Sequence, residues 1–349
     1  MKVFIASLFF GAIFSSMLLT VTSEPTPYIL QYDSAALGEP FIPKDNPLTE
    51  EGVRLGRLLF YDPLLSSNNE MSCGTCHIQS MAFTDGKDLA IGTYGDTLDK
   101  NTMSLVNLAW GNRFFWDGRA HSLEELVRDP IINQKEMAQD TIELVQELES
   151  HEYYPSLFKL AFPNEELSMN LVSKSIAQFL RTIVSNGVNV DFDALIMGKY
   201  YRDEMTTGKP MRDTTQLGTF FRTASICGTC HGGASYGGNQ LANNGLTENG
   251  VFMKAPSLVN ITKTAPYMHD GRFKTLGEVL KHYRQHIGGF SELNPELPMN
   301  SISTIMDYDI ANADNYFLLF DDEKLQTDSL LSDPFRDDFD WNNYLDQKR

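Results

Sequence analysis

Several stretches of the chain have apolar residues at regular intervals, and each predicts one element. Residues 3–21 are apolar almost throughout and are interrupted only by small residues, which is typical of a secretory signal peptide ending at residue 23. An uncleaved membrane anchor is the alternative interpretation of this segment. No later stretch reaches the roughly 20 apolar residues that a membrane span requires.

Two amphipathic helices are predicted in the first half of the chain. Thr49 is the expected N-cap of the first, because two glutamates follow it and apolar residues then recur at helical spacing. Ser168 is the expected N-cap of the second, whose apolar positions are Leu171, Val172, Ile176, Phe179, Leu180, Ile183 and Val184. Glycines, a proline and several charges follow, so we predict a domain at residues 24–190 and another at residues 191–349. The chain has no run of alternating strands, which predicts a mainly α fold.

The charge of the chain is strongly acidic. With 46 acidic and 28 basic side chains, its 349 residues have a formal net charge of −18, and the acidic residues are spread along the sequence. This balance argues against a nucleic-acid partner, because phosphate backbones attract basic surfaces. An acidic surface can steer a basic partner protein, although solubility alone explains the charge equally well.

All 4 cysteines belong to two copies of the pentapeptide Cys-Gly-Thr-Cys-His, at residues 73–77 and 227–231. Cys-x-x-Cys-His is the attachment signal of a c-type haem. One helical turn brings Cys73 and Cys76 to the same side of the backbone, where both can form thioethers with one porphyrin, and His77 can then bind the iron. The second copy offers the same ligands, Cys227, Cys230 and His231. We therefore predict two covalently bound haem c groups.

Other uses of paired cysteines explain this pattern less completely. A structural zinc site would place the pairs roughly 15 to 20 residues apart, whereas here they stand in opposite halves of the chain. Neither zinc nor a dithiol redox motif accounts for the histidine after each pair, and disulfide frameworks belong to much shorter chains. Residues 55–59 and 217–221 are also similar, which supports an internal duplication. The expected fold is therefore two cytochrome c-like helical domains, each with one covalently attached c-type haem, in a bacterial periplasm.

Further motifs accompany the two haem motifs in a fixed order. They are residues 59–66 (Leu-Phe-Tyr-Asp-Pro-Leu-Leu-Ser), 115–120 (Phe-Trp-Asp-Gly-Arg-Ala), 133–137 (Asn-Gln-Lys-Glu-Met) and 264–271 (Thr-Ala-Pro-Tyr-Met-His-Asp-Gly). Each motif is weak by itself, but all of them in this order are specific. From about residue 52 to residue 334, the chain resembles the bacterial di-haem cytochrome c peroxidases and the related MauG group.

The resemblance implies different roles for the two haems. The N-terminal haem, with His77 as its proximal ligand, would be the peroxide site, and the C-terminal haem would relay electrons from a donor such as a small cytochrome c or copper protein. Glu136 occupies the position of the family's distal acid-base residue, where a carboxyl group can move a proton between the peroxide oxygens. Trp116 matches the tryptophan between the two haems, a role that is compatible with a buried core tryptophan.

The resemblance also implies a calcium ion between the haems. Asn101 and the carbonyl groups of Thr264 and Pro266 match the family's calcium ligands. One side-chain amide and two backbone oxygens suit a hard cation that completes its coordination with water. A homodimer is left open by the sequence.

The first half departs from the usual family pattern in two places. Many di-haem peroxidases have a histidine in the loop after the first haem motif, where it blocks the iron until the other haem is reduced, but residues 90–96 contain none. The first haem is therefore expected to be open without reductive activation, as in the MauG group. Leu126 replaces a common glutamine, which predicts weaker positioning of peroxide. His121 is expected to start a helix rather than to bind a metal.

The second haem needs a ligand on its other face, for which the candidates by chemistry are Met268, His269, His282, Tyr283 and His286. Thr275 and Glu278 predict a capping box, and the helix that follows has an apolar stripe. At about 100° per residue, Tyr283 falls near the centre of this stripe, His286 at its flank and His282 well away from it. We therefore expect Tyr283 to be the best-buried candidate on this helix, and it matches the axial tyrosine of the MauG group. A core tyrosine that bonds to a carbonyl is the alternative.

The combined expectation is a periplasmic di-haem cytochrome c peroxidase that reduces hydrogen peroxide with electrons from an external donor protein. A MauG-like oxidase that modifies a protein side chain is the first alternative, which Tyr283 and the loop without histidine favour. A non-catalytic electron-transfer cytochrome is the second. Glu136 argues against it, because an electron carrier needs no distal carboxyl group.

Overall fold

The first half of the chain is built on helix α2 (Glu50–Tyr61), which a short helix, α1 (Ser34–Leu37), precedes. The computed structural model describes residues 24–185, 227–228, 230–232, 239–246, 251–286, 305–336, 339–341 and 344. Thr49 is the N-cap of α2, and its hydroxyl accepts a hydrogen bond of 3.0 Å from the amide of Gly52. The cap predicted from the sequence is therefore confirmed.

The other helices of the first half are α3 (Cys73–Cys76), α4 (Leu123–Ile132), α5 (Thr141–Ser150), α6 (Tyr154–Ala161) and α7 (Met169–Thr182). Helix α7 lies close against α2, because Gly56 leaves room for the backbone of the neighbouring helix. A Cβ atom at this position would collide with the carbonyl oxygen of Ser175. Ser168 is the N-cap of α7, as predicted, although its side chain makes no capping hydrogen bond within the described residues.

The core of the first half lies between α2 and α7. The apolar positions predicted for α7 are buried, except Val184, which is half-buried. Arg181, only 1% exposed, donates two hydrogen bonds of 2.9 and 3.2 Å to the carboxylate of Glu124 on α4. Although burial opposes ionisation of Glu124, the guanidinium group lowers the pKa of this carboxyl group. The ion pair thus joins α4 to α7 inside the core.

The second half consists of a two-stranded antiparallel sheet and a group of helices in its described parts. Strands β1 (Leu241–Ala242) and β2 (Met253–Lys254) pair with Leu241 opposite Lys254. The helices are α8 (Leu276–His286), α9 (Asp307–Ala311) and α10 (Ala313–Phe317). The capping box at the start of α8 is confirmed, since Thr275 and Glu278 each accept the other's backbone amide, at 3.2 and 3.1 Å. The described residues are thus mainly helical, as the sequence predicts.

The C-terminal segment returns to the first half of the molecule. The hydroxyl of Tyr61 donates to the carbonyl of Leu331 at 2.6 Å, and Leu331 itself lies in the core around α2. Trp341 stacks on Tyr153, with ring centroids 4.9 Å apart and an angle of 7° between the planes. The predicted domain boundary near residue 190 and the predicted signal peptide lie outside the described residues. Within the described ranges, no helix has the length and apolarity needed to cross a membrane.

Candidate functional site

Each haem motif opens into its own cavity. The first cavity has a volume of about 460 Å³, and its lining includes Cys73, Cys76, His77 and Glu136. The second cavity has a volume of about 150 Å³, and its lining includes Cys227, Cys230, His231 and Tyr283. The predicted ligands of each haem therefore face one shared space in each half.

A backbone carbonyl fixes the imidazole of each motif. Nδ1 of His77 donates to the carbonyl of Phe83 at 2.8 Å, and Nδ1 of His231 donates to the carbonyl of Pro256 at 2.6 Å. Since a carbonyl group can only accept, the proton lies on Nδ1 and leaves Nε2 available to a metal ion. Burial lowers the pKa of both imidazoles, which keeps them in the neutral form that binds iron.

The thiols are also consistent with haem attachment rather than with redox exchange. Burial raises the pKa of Cys73 to about 12 and that of Cys76 to about 11. Cys227 behaves in the same way, with a pKa of about 12. A dithiol redox site needs a reactive thiolate, which burial disfavours here. Among the described residues, no three His, Cys, Asp or Glu side chains form a cluster that could hold a metal ion.

Glu136 belongs to a tight turn after α4, where its amide donates to the carbonyl of Asn133 at 2.9 Å. Burial is the main cause that raises the pKa of this carboxyl group, and the charge of Asp129 adds to it. The positive charge of Arg119 opposes them, while its guanidinium binds Asp129 at 3.1 Å. The carboxyl group therefore lies in the first cavity with a pKa shifted toward neutrality, which suits a group that exchanges protons.

The loop at residues 90–96 forms one wall of the first cavity. Ile91 and Gly92 line the cavity, and the amide of Thr93 donates to the carbonyl of Glu136 at 2.7 Å. The loop is thereby fixed to the turn that holds the candidate acid-base residue, and it contributes no imidazole. Leu126, which stands where the family commonly has glutamine, also lines this cavity.

The interpretation of His121 as a helix-start residue agrees with the structure. It precedes Ser122, the N-cap of α4, and is exposed to solvent. Its backbone amide donates to the carboxylate of Glu125 at 2.8 Å, as in a helix N-terminus stabilised by an acidic side chain.

Trp116 lies in the wall that the two cavities share. Its indole Nε1 donates to the carbonyl of Asn101 at 2.8 Å, and its own carbonyl accepts the amide of Lys254 at 2.7 Å. Both of these neighbours line the two cavities as well. The tryptophan ring is therefore held in the wall between the two sites.

The predicted calcium ligands lie together at the second cavity. Asn101, Thr264 and Pro266 all contribute to its lining. The amide nitrogen of the Asn101 side chain donates to the carbonyl of Lys87 at 2.7 Å, so the side-chain oxygen is the atom that a cation would contact.

The structure separates the candidates for the second axial ligand. Tyr283 and Met268 line the second cavity, whereas His286 is exposed and His269 is buried with its ring edge-on to Trp116. Burial raises the pKa of the Tyr283 phenol, so this group stays protonated unless a metal ion binds it.

The prediction that Tyr283 is the best-buried candidate on its helix has a mixed outcome, because burial raises the pKa of its phenol while part of its side chain faces the open second cavity. His282 is 7% exposed, whereas Tyr283 is only half-buried. His282 does lie off the apolar stripe, as predicted, but the chain around Asn244 covers that side of the helix. Nε2 of His282 bonds to the carbonyl of Asn244 at 2.7 Å. The helical pattern could not predict this cover, since it comes from a distant segment.

Some groups at the site were not predicted from the sequence. The sequence does not show that the carbonyls of Phe83 and Pro256 bind the two histidines, because every residue has a carbonyl group. Phe83 has a positive φ of 60°, which turns the chain toward His77. Lys254 has a clearer signal in the sequence, since it is the lone charge in the segment 251–258.

Known proteins are similar to this chain in sequence and in fold. Residues 50–201 match the model of the family described as di-haem cytochrome c peroxidase. The chain is 36% identical over 258 residues to the methylamine utilization protein MauG of Methylorubrum extorquens. The alignment covers 69% of this chain and 70% of that protein. It is 30% identical over 327 residues to the cytochrome c551 peroxidase of Nitrosomonas europaea, with coverage of 88% and 89%.

Solved structures share this architecture. The crystal structure of a MauG-like protein associated with microbial copper homeostasis superposes with a TM-score of 0.71 and 26% identity, over 86% of this chain and 98% of that chain. The diheme peroxidase BthA from Burkholderia thailandensis has the same fold, with a TM-score of 0.54 and 16% identity over 88% and 94% of the two chains. The protein therefore belongs to the di-haem cytochrome c peroxidase and MauG family of oxidoreductases.

Proposed function

We propose that this protein is a periplasmic di-haem peroxidase that reduces hydrogen peroxide to water with two electrons from an external donor protein. The observation that carries the proposal is the arrangement of His77 and Glu136 on one cavity, with Trp116 in the wall that separates it from the second motif. The periplasm follows from the expected signal peptide at residues 1–23 and from the c-type haem motifs.

The two motifs are suited to hold haem c. The thiols of Cys73 and Cys76 would form thioethers with one haem, and those of Cys227 and Cys230 with the other. His77 and His231 would each offer Nε2, because a carbonyl group holds Nδ1. When bound, the two haems would supply the peroxide-binding iron and the redox centres that store and pass electrons.

Glu136 would perform the proton transfer. Its carboxylate takes the proton from one peroxide oxygen and returns it to the other, so that the departing oxygen leaves as water. The hydrogen bond from Thr93 to the Glu136 carbonyl and the turn at Asn133 keep this group in place. Burial and the charge of Asp129 raise the pKa of this carboxyl group, which makes its carboxylate a stronger base for the first proton.

Trp116 and the candidate calcium site would connect the two halves. The indole ring lies in the common wall and would couple the two haems. Its hydrogen bond ends on Asn101, whose side-chain oxygen would bind calcium together with the carbonyls of Thr264 and Pro266. A bound cation would thus stabilise the wall that orients the tryptophan.

A MauG-like oxidase that modifies a protein side chain is the second candidate function. The cavity-lining loop at residues 90–96 has no histidine to block the first site, and Tyr283 faces the second cavity. A phenolate ligand would lower the reduction potential of the second haem compared with a methionine sulfur. The 36% identity to a MauG protein agrees with this candidate.

Steady-state turnover separates the two candidates. We expect the purified di-haem protein to oxidise a reduced small cytochrome c or copper protein continuously when peroxide is added. Glu149→Gln, which changes an exposed glutamate of α5, is the matched control for changes at Glu136 and should oxidise the donor as fast as the parent protein does. A fast reaction of the haems with peroxide without donor oxidation would contradict the peroxidase and support the oxidase.

A further inference from the structure

Lys254 is a buried cation in the wall between the two cavities. It is the last residue of β2, is 5% exposed and lines both cavities. Its backbone amide donates to the carbonyl of Trp116, which fixes its position. No residue in the described parts of the chain forms a hydrogen bond or an ion pair with its ammonium group.

A buried ammonium group without a counter-ion is costly, because it loses its hydration and gains nothing in return. Burial lowers the pKa of Lys254 to about 8, because the charged form is less stable there than in water. Lys263, nine residues later in the chain, is different, since it is exposed and pairs with Asp321 at 3.4 Å. Within the described residues, Lys254 therefore has no anion beside its ammonium group.

The haem itself can supply that anion, since each haem c has two propionate carboxylates. We propose that Lys254 pairs with a propionate of the haem attached at Cys227 and Cys230 and thereby raises the reduction potential of that haem. The inference rests on the proposed function, because it requires haem in the second cavity. It makes Lys254 a positioning residue that acts on the electron-transfer site.

The choice of the second haem follows from the position of Lys254 in the fold. Pro256, two residues after Lys254, accepts the hydrogen bond from Nδ1 of His231, the predicted iron ligand of the second haem. Strand β2, which ends at Lys254, pairs with strand β1 of the second half. Lys254 therefore belongs to the backbone segment that holds the histidine of the second site. A positive charge near an iron favours the reduced form, which has one positive charge less.

A redox titration followed by absorption tests the proposal. Lys254→Met removes the charge and should lower the midpoint potential of the second haem more than that of the first. Lys254→Arg keeps the charge and should stay near the parent value, as should Lys281→Met, which removes an exposed lysine of α8. An unchanged second potential in Lys254→Met, or a larger shift at the first haem, would overturn the proposal.

Haem content is measured first in every variant, because parent protein without haem would refute the proposed function rather than the role of Lys254. The propionate bending mode in resonance Raman spectra then reports the pairing directly. It should change frequency in Lys254→Met, and also in Lys254→Arg, where a guanidinium replaces the ammonium. If Lys254→Met does not fold, an identical mode in the parent and Lys254→Arg proteins is the outcome that excludes the pairing.

Discussion

At the scale of single residues, Glu136 differs from the many other acidic side chains of this chain in its surroundings. Burial in the first cavity and the charge of Asp129 raise its pKa, whereas most glutamates lie at the surface. Because Arg119 binds Asp129, it moderates the effect without pairing directly with Glu136 in the described contacts. The carboxyl group thus exchanges its proton at a higher pH than an exposed glutamate does.

This shift predicts the pH dependence of the reaction with peroxide. The deprotonated carboxylate must accept the first proton, so kcat/KM for peroxide should rise with pH through an inflection above the usual glutamate pKa of about 4.3. Glu136→Gln should lose this inflection and should lower kcat/KM by about 10²-fold or more, with unchanged haem content. Profiles measured between about pH 4 and 8 test this, and an inflection that persists in Glu136→Gln would assign it to another group.

Tyr283 gives a second prediction at this scale. Tyr283→Phe should change the absorption and electron paramagnetic resonance signals of the second haem, because Tyr283 lines the second cavity and its phenol oxygen is the atom that would bind iron. His282→Gln is the matched control, since the imidazole bonds to the carbonyl of Asn244 instead. Identical spectra of Tyr283→Phe and the parent protein would exclude the tyrosine as an axial ligand. Met268, which lines the same cavity, would then be the next candidate.

The side chains expected at the site lie together at the two cavities, whereas their surroundings could not be predicted from the sequence. The cysteines and histidines of both motifs, Glu136 and Trp116 all line the two cavities. Their motifs are local, so they can be found without the fold. The burial of His282 and the hydrogen bond at the Pro256 carbonyl depend on segments that are distant in the sequence. The helical spacing of apolar residues carries no information about such contacts.

At the scale of elements, the contact between α2 and α7 determines how the first half packs. Gly56 allows the two backbones to approach at Ser175. Gly56→Ala should therefore push the helices apart and lower the free energy of unfolding by about 1–3 kcal/mol, the usual cost of overpacking. Asn170→Ala, at an exposed position of α7, should stay within about 0.5 kcal/mol of the parent protein. Denaturant unfolding measures both, and equal midpoints would contradict the close contact.

Helix starts were predictable, whereas short turns were not. Thr49 and Thr275 were identified because a cap places specific side chains at fixed distances in the sequence. The bend at Ala82 and Phe83, which aims a carbonyl at His77, consists of ordinary residues with positive φ. Since non-glycine residues adopt this conformation rarely, the sequence does not signal it.

At the scale of the whole molecule, the C-terminal segment joins the two halves. Trp341 packs against Tyr153 and Tyr154, and Leu331 enters the core around α2. The sequence predicted two helical halves, but it could not predict this return, because contacts between the ends of a chain leave no repeating pattern. The stability of the first half should therefore depend on residues near the C-terminus.

Trp341→Ala tests this dependence. We expect it to lower the free energy of unfolding by about 2 kcal/mol, less than the ~3–5 kcal/mol for a fully buried tryptophan, since Trp341 is half-buried. Trp341→Phe keeps an aromatic ring against Tyr153 and should recover most of the loss. Thermal unfolding followed at the first haem measures the effect. A parent-like transition in Trp341→Ala would show that the segment does not support the first half.

The proposed function requires the first cavity to react with peroxide and Glu136 to move the proton. Rapid mixing of the fully oxidised di-haem protein with hydrogen peroxide tests both requirements in one measurement. We expect a fast change in the haem absorption bands of the parent protein and a change slowed by about 10²-fold or more in Glu136→Gln at equal haem content. Haem bands that do not respond to peroxide, or that respond equally fast in both proteins, would contradict it.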